Sequence, residues 1–88
     1  MGINKGFFLK KVGKEYMIIP TTNSNVVMNK IFNINEVGAD IFTCLEKGKS
    51  IDETVSSLLK EYDVNEDTLR EDVLDFVEEL RKRGIYND

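Results

Sequence analysis

Eighty-eight residues leave room for one domain, 1–88, with little enclosed volume, and a hydrophobic share of 41% is enough to fold it. The chain has no histidine, a single cysteine and a net charge of −4. That excludes histidine-based acid–base chemistry, an intrachain disulfide and a thiolate metal cluster, so no catalytic residue, metal or cofactor is expected.

In chain order, residues 7–12 (Phe7-Phe8-Leu9-Lys10-Lys11-Val12) and 15–19 (Glu15 to Ile19) are rich in aromatic and β-branched residues and read as strands. Gly13-Lys14 between them suits a two-residue type II′ turn, and Pro20 is expected to stop the second strand. Thr21 to Asn25 read as a polar loop. A second, smaller hairpin is expected from Val26-Val27-Met28 to Ile31-Phe32-Asn33-Ile34, turning at Asn29-Lys30.

From Asn35 the apolar period becomes helical. Asn35 is the expected N-cap of a first helix that ends at Gly48, with Ile34, Val37, Gly38, Ile41, Phe42 and Leu45 on one face. Ser50-Ile51-Asp52-Glu53 fits a capping box for a second helix over about 51–62. Asn65 caps a third, about 66–83, with Val64 and Leu69 placed as a hydrophobic staple and Leu69, Val73, Phe76 and Leu80 as its core face. Gly84 ends it, and Ile85-Tyr86 are placed to pack back on the domain. Strands followed by helices make the class α+β.

Residues that suggest chemistry have plainer readings. Cys44 lies beside the apolar stripe of the first helix and reads as a small hydrophobe. Gly48-Lys49-Ser50 resembles the end of a phosphate-binding loop, but Thr43 stands where that motif needs glycine. The carboxylates of helix three scatter over its solvent side. Charge is divided along the chain: residues 1–34 hold five lysines against one glutamate, a net of +4, which leaves −8 on residues 35–88. Acidic helices repel a phosphate backbone, so a nucleic-acid partner is not expected.

Two features remain. Leu74 and Val77 widen the apolar arc of helix three to about 160°, against roughly 100° for a one-sided helix, and Arg70 and Arg81 fall in the added sector. Either helix three packs on both the sheet and another helix, or it leaves an apolar groove rimmed by arginine. The other feature is the short strand Ile31-Phe32-Asn33-Ile34, whose unpaired backbone groups at a sheet edge could accept an extended peptide.

The run Phe8-x-x-Lys-x-Val-Gly13-x-x-Tyr16-x-Ile-x-Pro20, then Ile34-Asn35-Glu36-Val37-Gly38-Ala39-x-Ile41-Phe42, then Gly48-x-Ser50, Tyr62-x-Val64 and Asp72-Val73-x-x-Phe76-x-x-x-Leu80-x-x-x-Gly84-Ile85, resembles the PqqD-like family over nearly the whole chain. The resemblance implies a winged-helix-like domain, N-terminal antiparallel strands followed by a three-helix bundle. It implies a non-catalytic, peptide-binding chaperone that captures the leader of a ribosomally made precursor as an added strand. The leader is then presented to a modifying enzyme such as a radical-SAM maturase. Carried onto this chain, the strand is Ile31, Phe32, Asn33 and Ile34, and the facing helix residues are Leu69, Val73, Phe76 and Val77. Arg70 and Leu74, from the widened arc, complete the expected peptide-binding set. Phe42 stands where the family often has tryptophan, and Asn29-Lys30 where it often has Asn-Gly.

Two other functions compete. A winged-helix nucleic-acid-binding protein would have to set an acidic helix in a groove. A structural or oligomerisation subunit, a homodimer in the simplest case, would bury the same edge strand and helix face against a second copy. Without a membrane span of roughly 20 apolar residues or a signal peptide, the expected place is the cytoplasm.

Overall fold

A computed structural model describes residues 2–22, 25–26 and 31–87. The first long elements are β2 (Phe7–Val12) and β3 (Glu15–Thr22), which follow a two-residue strand β1 (Gly2–Ile3). β2 and β3 pair antiparallel from Val12↔Glu15 to Phe7↔Pro20. Gly13 takes the positive φ, 63°, that a tight two-residue turn requires.

Pro20 does not end the strand, as the sequence predicted it would. The missing N–H falls opposite Phe7, at the last rung of the β2 ladder. Beyond it β3 changes partner: Thr21 and Thr22 pair with Val26 and Asn25 of β4 (Asn25–Val26). Proline is tolerated where one ladder stops and another begins. Thr21, Thr22 and Asn25 are therefore strand rather than loop, and Asn23 and Ser24 lie outside the described residues.

The expected second hairpin also differs. β5 (Phe32–Ile34) pairs with β3, through Tyr16↔Ile34, Met17↔Asn33 and Ile18↔Phe32. β3 is thus the central strand, with β2, β4 and β5 all paired to it. The turn expected at Asn29-Lys30, with Val27 and Met28, lies outside the described residues.

The helices follow the periodicity closely. α1 (Glu36–Glu46) is capped by Asn35, whose side chain accepts from the Gly38 N–H. α2 (Ile51–Leu59) starts on the full capping box between Ser50 and Glu53. It ends earlier than predicted because the N–H groups of Lys60 and Glu61 reach back only three residues, tightening the last turn. α3 (Glu66–Lys82) is capped by Asn65, which accepts from Asp67 and Thr68. Val64, expected to staple that end, stays half exposed.

The core lies between the inner face of the sheet and the three helices. Ile18 of β3, Phe42 of α1, Val55 of α2 and Val73 of α3 are its fully buried centre. The core face of α3 is rotated from the predicted one. Val77 is buried to 1% exposure, while Phe76 is only half-buried and turned toward β5. After α3 the chain adds an element the sequence reading did not separate. Tyr86 and Asn87 form β6, which pairs with β1. Asn4 secures this closure with its N–H on Ile85 O and its side-chain amide on Gly84 O. The α+β class, strands followed by three helices, holds.

Candidate functional site

β5 is the decisive element. One side is paired to β3, and among the described residues no strand pairs with the other. Its side chains alternate as a strand must: Phe32 and Ile34 point inward and are half-buried, and Asn33 points out. Phe32 lies against Phe76 of α3, ring centroids 6.0 Å apart and planes 20° from parallel. The guanidinium of Arg83 covers Phe32 as well, 3.8 Å from its centroid. Glu79 holds that guanidinium by its Nε, at 3.0 Å.

Below Phe32 the groove opens into a cleft of about 290 Å³ between α1 and α3, lined by Asn35, Val37, Gly38, Ile41, Asp72 and Phe76. Gly38 makes this cleft. A Cβ there would stand 3.1 Å from Cε1 of Phe76 and 3.2 Å from Cβ of Ile34, closer than side chains normally pack. Asp72, at the rim, makes no ion pair among the described residues.

The residues singled out in the sequence divide into three groups. Ile31, Phe32, Ile34 and Phe76 are half-buried along the edge, with Asn33 exposed beside them. Leu69, Val73 and Val77 are at most 3% exposed and belong to the core against which Phe76 packs. Arg70 and Leu74 lie on another flank of α3. Arg70 pairs with Asp52 of α2 and with Glu66, and Leu74 is 47% exposed. Arg81 is likewise turned away, bound to Glu78 and set over the Tyr86 ring. The arginine that rims β5 is therefore Arg83, in place of Arg70 and Arg81. The signal was in the sequence: at about 100° per residue, Arg83 falls within about 20° of Phe76, whereas Arg70, Arg81 and Leu74 are about 120–160° away.

Reactive groups are few. Among the described residues no cluster of three metal-ligating side chains occurs. Tyr62 bonds its phenol to Asp40, and that bond, with burial, holds its pKa well above the ordinary tyrosine range. A phenol so held is a proton donor to its carboxylate and not a base. Cys44 is half-buried on α1. No described helix is long and apolar enough to cross a membrane.

The family model described as coenzyme PQQ synthesis protein D (PqqD) matches residues 15–85. This chain belongs to the PqqD family. The match takes in β3, β5 and all three helices, so it bears out the resemblance read from the sequence. Two solved structures share the PqqD-family fold seen here. One, described as TbiB1 in complex with the TbiA(beta) leader peptide, is 24% identical with a TM-score of 0.79, covering 99% of this chain and 95% of that one. The other, a lasso peptide synthetase B1 complexed with the leader peptide, is 16% identical with a TM-score of 0.76, covering 98% and 95%. No curated protein compared with this PqqD-family chain matches it.

Proposed function

We propose that this chain is a non-catalytic peptide-binding adaptor that takes the leader of a ribosomally made precursor as an added strand on β5. The observation that carries the proposal is the open side of β5 beside the half-buried Phe76. An extended peptide there gains backbone hydrogen bonds from the strand edge, and its alternate side chains meet Phe32, Ile34 and Phe76. Membership of the PqqD family and likeness to two proteins solved with leader peptides support the same reading. Leu69, Val73 and Val77 serve it from behind, by fixing the position of Phe76. The adaptor then hands the precursor to a modifying enzyme, of which a radical-SAM maturase is one kind.

Titration of the precursor leader into isotope-labelled protein tests this. Amide shifts should concentrate on residues 31–34 and on the Asp72–Arg83 stretch of α3. Shifts confined to α2 or to the β2–β3 hairpin would overturn it. A homodimer through the same edge makes the opposite forecast: light scattering would then show association without peptide, and added leader would dissolve it.

A further inference from the structure

The groove between β5 and α3 has two chemically different ends. At one, Asp72 stands at the rim of the cleft shared with Asn35, Gly38 and Phe76. At the other, the guanidinium of Arg83 lies over Phe32, with its Nε taken by Glu79. That leaves the terminal nitrogens of the guanidinium as a fork held in fixed orientation, suited to a carboxylate.

The direction of the groove follows from the same contacts. Phe32 meets Phe76 and Arg83 near the end of α3, whereas Asn35 and Gly38, further along the chain, meet Phe76 and Asp72. β5 therefore runs against α3. Every strand pair in the sheet is antiparallel, and a further antiparallel strand on β5 would run with α3, passing Asp72 first and Arg83 last. Residues 72 and 83 are separated by about 16 Å along a helix at 1.5 Å per residue. An extended chain covers that distance in about five residues at 3.3 Å each.

Resting on the strand-addition reading above, we propose that this groove selects its peptide by a charge register. The peptide carries a lysine or arginine beside Asp72 and an aspartate or glutamate beside Arg83, about five residues later, with apolar side chains between them on Phe76 and Phe32. Glu79 is a positioning residue that aims the Arg83 fork. Backbone pairing and the apolar contacts supply most of the affinity. The two charges supply direction and register, since each exposed pair changes affinity by no more than about fivefold.

Display of random peptides of roughly twelve residues, enough to overhang the five-residue span, tests the register. Each enriched peptide is mapped by amide shifts on the labelled protein. The expected consensus is a basic residue followed about five positions later by an acidic one. Arg83→Glu should turn the second preference to basic, Arg83→Gln should abolish it, and Asp72→Lys should turn the first to acidic. Peptides that seat on β5 without a charge preference, or with one indifferent to these three substitutions, would overturn the register and leave strand addition standing. Peptides that seat elsewhere would overturn both.

Discussion

Phe76 and Val73 are three positions apart on α3, yet they belong to different parts of the problem. Val73 is fully buried, and cutting it to alanine removes two methyl groups and leaves a cavity. Val73→Ala should cost about 2–3 kcal/mol and lower Tm by about 10 °C or more, checked by thermal unfolding. Phe76 is only partly buried and packs on Phe32, so Phe76→Ala should cost less stability than a fully buried phenylalanine, about 1–2 kcal/mol, while the leader affinity falls by at least tenfold. Calorimetry and peptide titration on the two variants separate the roles. Similar affinity losses in both would mean that the edge is not where the peptide sits. Gly38 is a third case. Alanine there favours the helix by about 1 kcal/mol, but its Cβ crowds Phe76 and Ile34. The partly buried ring of Phe76 can swing outward, but the Cβ of Ile34 is fixed to the β5 backbone and must give by a few tenths of an ångström, which offsets the helix gain. Gly38→Ala should therefore leave Tm within a few degrees of the parent and still weaken the leader.

At the scale of elements, the three helices were legible because their signals are local. Asn35, Ser50 and Asn65 each precede an apolar stripe, and each caps the helix that follows. The partner of β5 was not legible. Ile31-Phe32-Asn33-Ile34 alternates as a strand should, but nothing in a short run says whether it pairs with its neighbour in sequence or with Tyr16–Ile18, some sixteen residues back. The place of Val77 was open for a related reason: a helix whose apolar arc is wide offers several core faces, and tertiary packing chooses among them, here burying Val77. Two side-chain contacts, the capping box of α2 and the bond between Tyr62 and Asp40 of α1, also tie stability to pH. The pKa of Glu53 is lowered, first by the Ser50 N–H and then by its hydroxyl. A carboxylate lowered in the folded state stabilises it at neutral pH, and that contribution is lost as pH falls from about 4.5 through the folded value. The pKa of Tyr62 is raised, so the sign reverses. Its contribution is whole below about pH 10 and is lost as the unfolded chain ionises above it. Tyr62→Phe should flatten the alkaline limb of a stability–pH curve, and Glu53→Gln the acid limb. An alkaline limb unchanged in Tyr62→Phe would show that the bond to Asp40 does not tie the turn after α2 to α1 in solution.

At the scale of the whole molecule, the last strand closes what the first begins. Gly2 and Ile3 pair with Asn87 and Tyr86, and Asn4 donates twice to the chain between α3 and β6. Neither strand could be read from two residues of sequence, because neither exists without the other. Their joint effect is to cover Ile85 and Tyr86, which are 1% and 6% exposed. Both belong to the hydrophobic core, with Val73 and Leu80 of α3. Removing residues 1–4 should therefore expose apolar surface and strip both the β1–β6 pairing and the two Asn4 hydrogen bonds, a loss of about 3 kcal/mol or more seen in urea denaturation. It should not touch the peptide groove. The shortened chain, held well below its new midpoint, should bind leader within about twofold of the parent, since β1 pairs with β6 and packs on α1, whereas the groove lies between β5 and α3. A large loss of affinity with little loss of stability would mean that the N-terminal strand belongs to the binding surface, and that the groove extends past β5 to the joined ends of the chain.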